Sequence, residues 1–213
     1  MQEAQFISLL WFIGIIAEAM TGALAAGRKQ MDLFGVVIIG CATAIGGGTL
    51  RDILLGNYPI VWIDNVHYLM AIAFASLLTV IIAPLMRYLS KLFLAIDALG
   101  LAVFSIIGAQ KTLALGFSPV VAVVMGVITG VFGGVIRDIL CNQVPLIFRK
   151  ELYAVISLAT AALYIGLSAL QVTEWINLLV CLSFGFSFRM LALKYRWSIP
   201  TFDYQAEADP HGH

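Results

Sequence analysis

The chain has 213 residues, of which 62% are apolar and 11% charged, and its twelve Lys and Arg balance twelve Asp and Glu. A soluble domain carries about a quarter charged residues, so lipid rather than water is the expected solvent. The zero net charge argues against nucleic acid as a partner.

Seven apolar segments approach the roughly 20 residues a membrane helix needs. The first covers approximately residues 6–26. It opens with Gln2 and Glu3 rather than a basic n-region, so it does not read as a removable signal peptide. The others are expected at about 33–50, 66–86, 92–110, 119–137, 152–170 and 175–193, and the second and fifth are short and glycine-rich. The apolar-polar alternation of a membrane β-barrel is not seen. The fold class is therefore an all-α membrane protein with seven transmembrane helices in a single domain over 1–195. The polar stretch 196–213 reads as a disordered tail.

Basic residues set the direction. Arg28 and Lys29, Arg87 and Lys91, Arg149 and Lys150, and Arg189, Lys194 and Arg196 all fall on one side if the chain alternates. That side is expected to be cytoplasmic, with the N-terminus outside and the C-terminus inside. Cys41, Cys141 and Cys181 form no C-x-x-C pair and read as small apolar core residues, not as a disulfide framework or metal site.

The sequence matches itself at an offset of 86 residues. Gly14 meets Gly100, and Gly22 with Ala23 meets Gly108 with Ala109. Thr43 meets Thr129, Gly47 and Gly48 meet Gly133 and Gly134, and Arg51-Asp52-Ile53-Leu54 meets Arg137-Asp138-Ile139-Leu140. Pro59 meets Pro145. The copies span about 6–86 and 92–170, each with three apolar segments. Three is odd, so the second copy must enter the membrane inverted, with the segment at 175–193 added. Such folds place their solute site at the repeat interface, and glycine-interrupted helices in matching positions point to it.

On a helix, Thr43, Gly47 and Arg51 share a face, as do Thr129, Gly133 and Arg137. Glycines permit a break or kink whose freed carbonyls need water or a cation. The functional reading makes Thr43, Gly46, Gly47, Gly48, Thr129, Gly133 and Gly134 the lining of a passage. The plain alternative is close helix packing through small residues, which also accounts for the glycines of the first and fourth segments. Arg51 and Asp52 point about 100° apart on a helix. They are therefore expected to pair across the repeats, Arg51 with Asp138 and Arg137 with Asp52, unless each Arg snorkels to its nearest interface.

Glu18 and Asp97 lie at membrane depth and are candidates for a cation-attracting field. A protonated or hydrogen-bonded core carboxyl is the alternative for Glu18. Lys111 is a gating charge in the passage or an interfacial anchor. No H-E-x-x-H, G-x-S-x-G or Walker motif occurs, so neither enzyme activity nor a cofactor is expected.

"TAIGGGTLRDILLG" with "TGVFGGVIRDIL", "DALGLAVFSIIGAQK" and "PLIFRKELYAVIS" resemble the prokaryotic trimeric intracellular cation (TRIC) channel family, also classed as UPF0126 or a glycine-transporter-type domain. The resemblance covers about residues 6–195. It implies a homotrimer in the membrane lipid, with a pore in each subunit that passes potassium and also sodium. It implies that glycine-kinked second and fifth helices flank the narrowest part, and that Lys111 is the nearest match to a basic residue of functional weight in the fourth helix. Phe132 stands where the first copy has Gly46, which departs from a triple glycine. A secondary transporter of a small amino acid such as glycine, and a structural subunit without permeation, are the competing readings.

Overall fold

The computed structural model describes residues 2–86, 90–148 and 152–198. Arg87, Arg149, Lys150 and the tail beyond residue 198 lie outside them, as does the side chain of Lys91. The helices are α1 (Gln2–Arg28), α2 (Leu33–Leu54), the short α3 (Val61–Asp64), α4 (His67–Met86), α5 (Ser90–Ala114), α6 (Pro119–Leu140), α7 (Tyr153–Ala169) and α8 (Glu174–Tyr195). A 3-10 turn, Leu146–Phe148, precedes α7. Six of these helices are long and apolar enough to cross a membrane, and α7 is a shorter apolar helix of 17 residues.

Local structure repeats with the sequence. The Asp32 carboxylate caps α2 by accepting from Gly35 N–H at 2.7 Å. At the matching position the Ser118 hydroxyl caps α6 by accepting from Val121 N–H. The ends match too: Leu55 and Cys141 donate to the carbonyls of Arg51 and Arg137, then Asn57 and Gln143 to those of Asp52 and Asp138. These terminal bonds satisfy carbonyls that would otherwise face lipid unpaired. Both helices thus run past the residues 50 and 137 expected from hydropathy, and each Arg-Asp pair sits in a last helical turn.

The inversion is visible in reciprocal contacts. A Cβ added at Gly47 would strike the carbonyl oxygen of Thr129, and one at Gly133 would strike that of Thr43. Ascending positions in α2 meet descending positions in α6, so these two copies of one helix cross antiparallel. Likewise a Cβ at Gly14 would lie 3.0 Å from the Phe104 ring, and one at Gly100 3.1 Å from the Glu18 carboxylate. The chain therefore holds two inverted three-helix repeats, with α8 packed on α5 and α7 as the seventh span.

The seventh helix carries its own polar attachment. Glu174 accepts from Gln110 Nε2 at 2.7 Å and from the Tyr164 hydroxyl at 2.8 Å. Buried Asn177 donates to the Tyr164 carbonyl at 3.1 Å and to the Ser168 hydroxyl at 2.9 Å. Arg189, read above as a loop charge, lies inside α8, 3% exposed, with its guanidinium 4.7 Å over the Tyr153 ring. Burying a cation there removes it from the charges that could set orientation. Cys141 and Cys181 are buried, Cys41 is half-buried, and all three are free thiols.

Candidate functional site: two mouths across a helix crossing

The crossing of α2 and α6 brings the two repeats together. Thr43, Gly47 and Arg51 are buried on one face of α2, and Thr129, Gly133 and Arg137 on one face of α6, as their spacing predicts. The Thr43 hydroxyl donates to the Ile39 carbonyl at 2.6 Å, and that of Thr129 to the Met125 carbonyl at 2.6 Å. Each hydroxyl thereby spends its proton on its own helix and keeps oxygen lone pairs to offer. Neither helix is interrupted at its glycines. The expected break with freed carbonyls is corrected. The glycines at 47 and 133 serve backbone-to-backbone approach, because no side chain fits against a facing carbonyl. Gly48 and Gly134 have no such neighbour, since the nearest atom to an added Cβ is an Arg Nη2 at 3.7 and 3.6 Å.

The charges do not pair across the repeats. Arg51 Nε and Nη2 both reach Asp52 Oδ1 at 3.0 Å, and Arg137 Nε and Nη2 reach Asp138 Oδ1 at 2.8 Å. The antiparallel crossing is the reason. It carries the two Arg-Asp pairs in opposite directions, about twelve residues of helix rise or roughly 18 Å apart. The guanidinium stem is long enough to fold back on the next residue, which overcomes the angle between them. All four side chains are at most 8% exposed, so each charge is neutralised where it is buried.

Each mouth is then finished differently. At the α2 end, Lys111 of α5 places Nζ 3.0 and 3.1 Å from the two oxygens of Asp52. At the α6 end, the second oxygen of Asp138 accepts from Leu146 N–H at 3.0 Å, and Arg137 Nη1 donates to the Thr21 hydroxyl at 3.3 Å. Thr21 in turn lies 3.2 Å from Glu18 Oε2. The position equivalent to Thr21 is Ile107, and the position equivalent to Glu18 is Phe104. Arg51 Nη1 accordingly has no hydrogen-bond partner among the described residues.

A cavity opens at each mouth. The one at the Arg51-Asp52 end holds only about 20 Å³, room for a single water. It is lined by Thr43, Gly47, Thr129 and Gly133 at the crossing, by Glu18, and by Trp11, Trp62 and Phe104. Trp62 Nε1 donates to the Thr49 hydroxyl at 3.0 Å, which ties α3 to α2. The cavity at the Arg137-Asp138 end is about 780 Å³ and carries Thr21, Asp97, Asp138, Arg28 and Arg189 on its wall. Glu18 stands between the two, on the wall of one and bonded to a wall residue of the other. Asp97 and Lys111 belong to opposite mouths, since fourteen residues of α5 separate them by about 21 Å. Thr21, Thr49, Trp62 and Arg189 were missed from sequence. The in-step prolines Pro59 and Pro145 were the one signal that the connectors holding Trp62 and Leu146 matter.

Two inverted bundles, an antiparallel glycine crossing and a cavity with buried charges at either mouth define an integral membrane protein of the inverted-repeat class. The glycine transporter family model matches residues 8–84 and 94–169. A UPF0126 membrane protein of Vibrio cholerae is 38% identical, covering 94% of this chain and 84% of its own. The UPF0126 inner membrane protein YadS of Escherichia coli is 37% identical, covering 89% and 93%. Among solved structures, the TRIC trimeric intracellular cation channel orthologue from Rhodobacter sphaeroides superposes with a TM-score of 0.86 at 35% identity, covering 90% of this chain and 98% of that one. A prokaryotic TRIC channel in 0.5 M KCl superposes with a TM-score of 0.84 at 31% identity, covering 92% and 100%. The chain belongs to this TRIC/UPF0126 family.

Proposed function

We propose that the protein is a monovalent cation channel, permeable to potassium and also to sodium, with one passage in each subunit of a homotrimer. The passage runs from the Asp52 mouth, through the α2–α6 crossing, past Glu18 and Thr21, to the cavity walled by Asp97 and Asp138. The observation that carries the reading is the placement of two cavities with buried charged residues on their walls at the two ends of one narrow crossing. Its likeness to solved cation channels supports it. At the crossing, the oxygens of Thr43 and Thr129 replace part of an ion's water shell, and Glu18 supplies negative field beside them. The short contact zone and the lack of a carbonyl ring predict weak discrimination between potassium and sodium. The membrane is the prokaryotic cytoplasmic (inner) membrane, with Arg28, Lys29, Lys194 and Arg196 on the cytoplasmic side, the N-terminus outside and the C-terminus inside.

The test is recording from purified protein in planar bilayers under a potassium chloride gradient. Unitary currents reversing near the potassium potential are expected, with sodium carrying comparable current. Thr43→Val with Thr129→Val is expected to lower the unitary conductance several-fold, because two oxygen ligands leave the narrow zone. Saturable uptake of labelled glycine without unitary currents would replace this reading with secondary transport of a small amino acid.

A further inference from the structure

The wide cavity at the Arg137-Asp138 mouth takes its wall from α1, α2, α4, α5, α6 and α8. At about 780 Å³ it is in the size range of pockets that bury most of a ligand's surface. Its wall is apolar at Leu24, Val36, Val80 and Leu94, and it carries three arginines, Arg28, Arg137 and Arg189, against two aspartates, Asp97 and Asp138. Arg28 is exposed in the last turn of α1, and Leu193 lies in the last turn of α8. Both line the cavity, so α8 ends beside its opening. There Arg196 takes the left-handed conformation and Trp197 N–H donates to the Ala192 carbonyl at 3.0 Å, which turns the chain back on the helix. The Trp197 ring thereby packs edge-on to Phe188, with centroids 6.1 Å apart. The sequence beyond Ser198 thus starts at this opening. It carries Asp203, Glu207 and Asp209 and no Lys or Arg.

We propose that the C-terminal segment around Asp203 docks in the wide cavity of its own subunit and plugs that mouth. The occupant is fixed by charge and by tether. An acidic segment without a cation leaves the protein beside a cavity whose wall is net positive, with Lys29 next to Arg28 and with Lys194 and Arg196 at the point of departure. The step from Ser198 to Asp203 spans up to about 18 Å when extended, which exceeds the width of a cavity of this volume. Phe202 and Tyr204 flank Asp203. In an extended segment these two rings point to one side and the carboxylate to the other. That pattern suits a cleft with Leu24, Val36 and Val80 on its wall and Arg28 at its rim. A short tether gives an effective concentration of about millimolar, so a weak contact is enough to keep the site filled. That the seated segment stops ions rests on the channel reading above; the docking does not.

Cysteine cross-linking of the full chain in lipid nanodiscs reads the docking without any current. With Cys41, Cys141 and Cys181 replaced by alanine, Ala83→Cys on the α4 wall of the cavity and Gln205→Cys beside the docked segment are expected to form a disulfide within one chain under a mild oxidant. Asp203→Lys is expected to slow its formation about tenfold, and adding Arg28→Asp to Asp203→Lys to restore it, because the pair is then reversed in sign. Should Arg28→Asp not fold, Arg28→Gln is expected to slow the reaction as Asp203→Asn does. No cross-link, or a rate indifferent to the charge at 203, would overturn the docking. So would linkage between chains, seen as a doubled mass, since the occupant would then be a second copy. In bilayers, Asp203→Lys is expected to raise open probability several-fold over the unaltered protein. A cross-link with unchanged open probability would refute the plug, whereas absence of current from every variant would count against the channel reading and leave the docking standing.

Discussion

Gly47→Ala and Gly133→Ala are expected to destabilise the protein by similar amounts, each about 1–3 kcal/mol or more. Each new methyl meets a carbonyl oxygen of the opposite repeat, Thr129 or Thr43, and a helix backbone cannot move aside as a side-chain tip can. The neighbouring Gly48→Ala and Gly134→Ala are expected to do the reverse. Their added carbons find only an arginine terminus at ordinary contact distance, and alanine favours a helix over glycine by about 1 kcal/mol. Thermal unfolding of the four variants in one detergent checks this. Equal effects at 47 and 48 would mean that the α2–α6 crossing is looser than described.

The second large effect is at the buried carboxylates. Among the described residues, Asp52→Ala removes the one ion-pair partner of both the Arg51 guanidinium and the Lys111 ammonium. Losing one partner of a buried pair costs about 3–5 kcal/mol, because an uncompensated charge is left behind. Asp138→Ala is expected to cost somewhat less, since Arg137 keeps its bond to Thr21 with Glu18 beyond it. Arg51→Met with Asp52→Ala and Lys111→Met is expected to recover much of the loss, as apolar replacement of a whole buried ionic cluster is often neutral. Chemical denaturation of the purified protein, followed by tryptophan fluorescence, ranks the variants. A ranking with Asp138→Ala as the most damaging would contradict the account of the two mouths.

Much of this architecture was legible in the sequence for a physical reason. Hydropathy reports lipid exposure, so six spans and the shorter α7 stood out directly. The offset of 86 residues, kept through Thr, Gly, Arg, Asp and Pro, gave the repeat, and its odd number of spans gave the inversion. What failed was inference about side-chain reach. Arg51 was set against Asp138 because adjacent residues diverge on a helix, yet a guanidinium folds back over its neighbour. The inversion already opposed that pairing, since antiparallel copies carry equivalent ends apart. The glycines were read as a break or kink with close packing as the alternative, and periodicity cannot distinguish a bend from a close approach. That distinction depends on what faces the glycine, here the Thr129 and Thr43 carbonyls. Asymmetry was hardest to see. Ile107 opposite Thr21, Phe104 opposite Glu18 and Lys111 opposite Ala25 are silent in a comparison that looks for matches, yet they decide how each mouth is finished.

The central claim is that ions cross each subunit at Thr43 and Thr129. The most direct measurement is bilayer recording of Thr43→Cys and Thr129→Cys proteins, with Cys41, Cys141 and Cys181 replaced by alanine, before and after a small charged thiol reagent. The account predicts potassium currents that fall in up to three discrete steps as the subunits are modified one by one. Currents that persist unchanged at full labelling of either position would place the conducting path elsewhere.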